Sequence, residues 1–339
     1  GFYKHGQRFP IAFDIGAIDV PWTLDEPMGS NDIMFMERSS SQVIATKFGG
    51  GDNRTAIGFR SNDDRYWVGG YLTGPTTGSL HTAVAQVGAP LGETGLGPQF
   101  AGLFRATYQL YQDKATNASL HIGFNFADTF DPRAGSNAEG FSLSDQPELR
   151  VDPTTILGTG TVNAHGGQVF GGEAAAAYGN AFIQGEYYHY VIDTKNSATY
   201  AGTNGPAVGF NGGYVQGSYT FGGRRYYKPT TGAYSGVIPD RPLVFGTDGW
   251  GALEIAGRFS IVDLNSSTHV PVLGSAATTQ ILGGQQTSFG AGANWYPNNN
   301  IKFMLDYEHV IENNPTIFAG PNTKGGTIDW IAARSQVVF

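Results

Sequence analysis

Charged residues are few in this chain, and their spacing decides what chemistry they could perform. Arg60, Arg105, Glu173, Glu186, Glu254, Arg258, Lys302, Asp306, Glu308 and Arg334 lie in stretches whose polarity alternates every second residue. A period of two places such residues on one face of a strand, opposite a row of apolar neighbours. Glu254, Arg258 and Ser260 share a face with Ala252, while Leu253, Ile255, Phe259 and Ile261 occupy the other. Charges gathered on one face of many strands suit a water-filled lumen, where they would select among ions and solutes. They equally suit pairing across neighbouring strands, which would stiffen a wall. A second set, Arg38, Arg150, Arg224, Arg225 and Lys228, falls in or beside loop segments. The residues expected to line or constrict a pore are therefore Arg38, Arg60, Arg105, Arg150, Arg225, Lys228, Glu254, Arg258, Lys302, Asp306 and Arg334.

Catalytic and metal-binding patterns are thin. His5, His81, His121, His165, His189, His269 and His309 are scattered, and none has a nucleophile-elbow or zincin context. His309 and Glu312 are three apart, which on a strand puts them on opposite faces. The glycines at 166–167 and 171–172 lack the Gly-Lys-Ser/Thr ending of a phosphate loop. No enzyme, metal or cofactor is expected.

Composition narrows the class of fold. The 339 residues include 50 Gly, 17 Tyr and 22 Phe, yet only 14% are charged, against about 25% in ordinary soluble domains. Hydrophobic residues are 40% and mean hydropathy is −0.21, so there is no apolar surplus. No apolar run approaches the roughly 18 residues a membrane-spanning helix needs. Strands with lipid on one side and water on the other fit these values. Cysteine is absent, which costs nothing where closure rather than disulfides protects sheet edges. A net charge of −8 and a pI near 5.3 argue against a nucleic-acid partner.

Twelve strands are expected at 10–20, 54–61, 64–74, 98–111, 117–128, 166–178, 181–193, 207–221, 249–262, 286–297, 300–312 and 327–339, after a fragment at 1–5. Short polar turns such as Ser61-Asn62-Asp63-Asp64 and Pro297-Asn298-Asn299-Asn300 join some pairs. Long Gly/Ser/Thr/Pro/Asn segments separate others, at 75–97, 129–165, 194–206, 222–248, 263–285 and 313–326. Short turns at one end and long loops at the other are the layout of an outer-membrane barrel. The expectation is an all-β fold, a transmembrane antiparallel β-barrel formed by one domain over 1–339. In the last strand Phe339, Val337, Ser335, Ala333 and Ile331 share one face, and Val338, Gln336, Arg334, Ala332 and Trp330 the other. A basic residue facing lipid at mid-depth costs roughly 2–4 kcal/mol, so Arg334 faces the lumen and Phe339 the membrane. No signal peptide is visible in Gly1-Phe2-Tyr3-Lys4-His5, so one is expected to have been removed or to lie upstream.

Several stretches resemble the phosphate-selective porin O and P family. They are Ile15-Gly16 through Trp22-Thr23-Leu24-Asp25-Glu26, Phe35-Met36-Glu37-Arg38, Arg225-Tyr226-Tyr227-Lys228-Pro229 to Gly232-Ala233-Tyr234, and Trp250-Gly251-Ala252-Leu253-Glu254 to Arg258-Phe259-Ser260. Leu282 to Tyr296 and Arg334-Ser335-Gln336 continue the likeness. The resemblance implies a homotrimer of barrels of about sixteen strands, roughly three of them before Gly1, each with one constricted channel. It also implies a lysine of the phosphate-selective members where this chain has Asp14, and an arginine-rich infolded loop where it has Phe141 to Glu148. An aspartate and an acid- and amide-bearing loop oppose phosphate, which needs positive potential and desolvating donors.

The functional expectation is an outer-membrane porin for passive diffusion of small hydrophilic solutes and ions, sieved by infolded loops. The alternatives are a phosphate- or anion-selective channel and a mainly structural envelope protein or adhesin. Outer-membrane lipid and lipopolysaccharide are the surrounding partners, with Arg224-Arg225 and the residues to Lys228 as candidates for lipopolysaccharide phosphates at the outer rim or for a solvated loop base.

Overall fold

Alternating polarity dictates extended chain here, because only a pleated strand turns successive side chains to opposite faces. The computed structural model describes residues 10–76, 100–134, 138–152, 154–195, 204–244, 246, 248–271, 278–313 and 325–338. Twelve long strands form its wall: β1 Ile11–Val20, β2 Gly51–Asn62, β3 Tyr66–Thr76, β4 Phe100–Asp113, β5 Ala118–Asp131 and β6 Val162–Tyr178. The wall continues with β7 Ala181–Lys195, β8 Asn204–Phe221, β9 Ala252–Pro271, β10 Thr278–Asn298, β11 Ile301–Asn313 and β12 Gly326–Val337. Each pairs antiparallel with the next in chain order, from β1 to β12. Among the described residues β1 and β12 do not pair, so the wall is not closed, with twelve long strands against the about sixteen the resemblance implies.

The two faces of the wall are chemically distinct. Phe13, Ile57, Leu72, Phe104, Ile122, Phe170, Ile183, Val215, Ile255, Phe289, Leu305 and Ile331 are exposed on the outer face. The alternate positions, including Arg105, Glu173, Glu186, Glu254, Arg258 and Asp306, are buried on the inner face. The face assignment expected for 249–262, 286–297, 300–312 and the last strand holds, although Phe339 itself lies outside the described residues.

Two expectations need correction. β9 and β10 extend well beyond 262 and before 286, so the long loop expected at 263–285 is mostly strand. Their register continues through Asn265↔Leu282 to Pro271↔Thr278, with irregularities that absorb the mismatch. The sequence places the segment between β8 and β9, 222–248, among the long loops. Antiparallel order instead puts it at the end of the short turns, because β8 finishes where β4 and β6 finish. Asn117 of the β4–β5 turn accordingly donates its side-chain amide to the carbonyls of Gly179, 2.9 Å, and Arg225, 3.0 Å.

Three connections fill the interior. The first, between β1 and β2, carries helices α1 Gly29–Asp32 and α2 Ser40–Thr46, the latter N-capped by the Ser39 hydroxyl, which accepts from the Gln42 amide. The second, before β6, pairs Ser144–Asp145 with Leu157–Gly158. The third, between β8 and β9, pairs Gly223–Arg224 with Ile238–Pro239 and Tyr227–Lys228 with Ala233–Tyr234. Towards the long-loop end, Ile44, Phe48, Phe141, Leu143 and Leu157 pack on wall residues Tyr188, Tyr190, Phe210 and Leu264. Towards the short-turn end, Leu24, Met28, Met34, Phe35 and Tyr234 pack on Ala175, Phe182 and Ala256.

Candidate functional site

Inside the wall the charged residues meet in pairs that sequence separation hides. Arg105 on β4 reaches Glu173 on β6 with two donors, Nε at 3.0 Å and Nη2 at 2.8 Å. β5 lies between them, and the residue in the gap is Gly123, which is opposite both Thr107 and Glu173. A Cβ on Gly123 would lie 2.6 Å from the Glu173 Cγ, so only glycine leaves room for the crossing. The same device recurs on the other side. Arg258 on β9 donates to Glu308 on β11 at 3.2 Å, over Gly290 of β10, which is directly opposite both residues. A Cβ on Gly290 would collide with the Glu308 carboxylate.

These pairs also hold the inner connections. Arg105 donates to the carbonyls of Thr231, 2.9 Å, and Gly232, 2.7 Å, and so fastens the third connection. His121 adds a contact of 2.8 Å to Glu173. Arg258 is bound at 2.5 Å by Glu148 from the second connection, and donates to the Glu37 carbonyl of the first at 2.7 Å. The Phe35 ring lies 4.5 Å from its guanidinium carbon, an arrangement that favours a cation over the ring face.

The remaining expected residues are placed as follows. Arg38 is in the first connection beside Asp25, 3.3 Å, and Glu26, 3.5 Å. Arg60 pairs with Asp14 at 3.0 Å on the inner face of β1 and β2. Arg150 meets Glu37 at 2.5 Å and Asp145 at 3.7 Å. Arg225 is buried against Glu254, with contacts of 2.7 and 2.9 Å, while Glu254 also accepts from Tyr296 at 2.7 Å. Lys228, 43% exposed, pairs with Asp32 at 2.6 Å. Lys302 donates to the Ile33 carbonyl at 2.6 Å, Asp306 accepts from the Met36 amide at 2.7 Å, and Arg334 reaches the Met36 and Ser30 carbonyls at 3.4 and 3.3 Å. The outer-rim position considered for Arg224-Arg225 does not hold: both lie at the short-turn end, and Arg224 meets Asp240 at 3.5 Å.

Burial tunes groups in the inner connections. It raises the Asp25 carboxyl, against the opposing pull of Arg38. It also raises Asp145, against Arg150 and Lys47. The Lys47 ammonium, at the end of α2, is lowered to about 8, first by burial and then by Arg150, with Asp145 opposing. Sequence reasoning did not single out Glu37, His121 or Glu148 as partners. The inward position of His121 is readable from alternation along β5. Glu37 and Glu148 carry no such signal, because they lie on irregular chain.

Space remains beside α1. A cavity of about 540 Å³ is bounded by Asp14, Glu26, Gly29, Arg60, Tyr71 and Thr231. Another of about 470 Å³ is bounded by Gly29, Asp32, Lys228, Asn300, Lys302 and Gln336. The two touch the same residue, Gly29.

A broad antiparallel wall, apolar outside and charged inside, with connections folded into its interior, is the architecture of a porin-type barrel. The family model for phosphate-selective porin O and P matches residues 3–339, and the chain belongs to that family, which is one of channels rather than enzymes. The chain is also similar to an uncharacterized protein of Caulobacter vibrioides (strain ATCC 19089 / CIP 103742 / CB 15). It is 27% identical over 199 residues, 58% of this chain and 35% of that protein. The chain thus covers about a third of the length of this relative.

Proposed function

We propose that the chain forms a passive outer-membrane channel for small hydrophilic solutes and ions, sieved where the inner connections narrow the lumen. The carrying observation is the two-faced wall: an exposed aromatic and aliphatic exterior against an interior of charged residues. Closed antiparallel hydrogen bonding is what lets a β-structure cross lipid. Residues 26–32, between the two cavities, are the proposed sieve, and small solutes pass beside α1. Assembly as a homotrimer, surrounded by outer-membrane lipid and lipopolysaccharide, belongs to the same proposal.

Selectivity follows from what the cations already hold. Of the nine arginines and lysines expected at the pore, seven contact carboxylates: Arg38, Arg60, Arg105, Arg150, Arg225, Lys228 and Arg258. Lys302 and Arg334 are committed to main-chain carbonyls. A phosphate site needs several donors free to replace water around the anion, so the proposed channel has no strong anion preference. The second reading, a phosphate or anion channel, is favoured by the family's description. Zero-current potentials across planar bilayers in a KCl gradient separate the two readings. A weak or cation-directed potential is expected, and a strongly anion-selective one would overturn the reading.

A further inference from the structure

Among the described residues, the buried carboxylates of this interior have hydrogen-bond partners, with one exception whose two oxygens both lack a donor. Glu312 faces inward at the long-loop end of β11, directly opposite Gln286 of β10. Glu312 is 2% exposed and Gln286 1%. Neither Glu312 oxygen, nor Oε1 of Gln286, has a hydrogen-bond partner among the described residues. The Gln286 amide nitrogen is already used, donating to the Ser40 hydroxyl at 2.8 Å. Opposed residues of an antiparallel pair have Cβ atoms about 4.5–5.5 Å apart. The two side chains are therefore neighbours on the inner face, and among the described residues no hydrogen-bond donor reaches their three unpaired oxygens.

An ionised carboxylate is costly to bury without compensation, and a native protein rarely leaves one bare. Arg258 does not serve, since it is engaged by Glu148 and Glu308. Glu308 is four residues further down β11, roughly 13 Å away at strand rise. We infer that Glu312 and Gln286 form a binding subsite for one monovalent cation of alkali-metal or ammonium type, on the inner wall at the long-loop end. One carboxylate balances one charge, and the amide carbonyl replaces part of the ion's water shell. Calcium usually takes six to eight oxygens. Among the described residues, no three His, Cys, Asp or Glu are grouped to hold a metal ion.

The binding itself is independent of permeation. Its effect on permeation, enrichment of cations at one mouth, rests on the channel reading above. Sodium-ion NMR line broadening on the refolded full chain in detergent tests the site. Broadening that potassium or ammonium competes away is expected, with affinity about tenfold weaker in Glu312→Gln, the loss expected from one charge-assisted contact. Gln286→Leu removes the opposite acceptor, gives a smaller loss, and keeps the test available if the first variant does not fold. Equal broadening in wild type and both variants would overturn the assignment. So would stronger competition by calcium than by potassium. A carboxylic-acid infrared band at neutral pH that vanishes in Glu312→Gln, without sodium binding, would also overturn it by showing a neutral Glu312. A silent bilayer with sodium binding intact would instead count against the channel and leave the subsite standing.

Discussion

Arg105–Glu173 and Arg258–Glu308 are built alike and balanced differently. Each pair crosses an intervening strand over a glycine, Gly123 or Gly290. Each also ties wall to filling. Arg105 has one carboxylate, Glu173, and two carbonyl acceptors. Arg258 has two carboxylates, Glu148 and Glu308. The first pair is matched one to one, so losing its acid strands a buried guanidinium. The second has an acid to spare. Charge count around the arginine, more than distance, sets how fragile each junction is.

The largest expected effect comes from breaking the matched pair. Glu173→Ala leaves Arg105, 1% exposed, without a carboxylate, and removing one partner of a buried pair costs about 3–5 kcal/mol. Urea unfolding of the vesicle-inserted protein measures this. Conductance of the same variant should rise if the third connection loosens from Arg105. A cost below about 1 kcal/mol would show the pair is not a junction at all.

The glycines come next. Ala at either position intrudes on a carboxylate, and overpacking costs about 1–3 kcal/mol. Gly123→Ala should be the worse of the two, because it presses on the stem of Glu173, whereas Gly290→Ala meets the movable tip of Glu308. The same unfolding titration ranks them. The reverse order would mean the β9–β11 side is the more rigid one.

Glu308→Gln sharpens the contrast from the other direction. Arg258 keeps Glu148 at 2.5 Å, and one of two like charges is removed. Its expected effect is within about 1 kcal/mol. If it matches Glu173→Ala, the spare-acid account fails.

The last effect is a change of slope, with no loss of stability at neutral pH expected from it: a pH dependence at Lys47. Its folded value of about 8 lies below the ordinary 10.5. Between those values the unfolded chain binds more protons than the folded one, so this lysine makes stability rise with pH across that window. Below about 8 both states are protonated and the contribution is level. Lys47→Met should lack the rise, read as the difference in urea midpoint between wild type and variant on either side of the window. Equal slopes would place Lys47 in water rather than beneath the second connection.

Much of the wall was legible before its structure, because alternation is carried by neighbours two residues apart. Leu305 and Asp306, or Ile255 and Glu254, declare opposite faces from local sequence alone. The filling was less legible. Arg224, Arg225 and the residues to Lys228 read as a loop at the outer rim or a solvated loop base, yet strand order puts them at the short-turn end. Glu148 sits at φ 51°, on irregular chain with no period to reveal its direction. Lys302 and Arg334 were readable as inward, but their main-chain acceptors were not, since Ile33 and Met36 are 269 and 298 positions away in sequence.

What the sequence determined by itself was a two-faced β-structure, with charges kept from lipid by the high cost of exposing them there. What only the tertiary structure decided was which charges meet. Partners across a skipped strand depend on register, and partners from the filling depend on where three long connections pack. Both are set by contacts between residues far apart in the chain, which a period of two cannot encode.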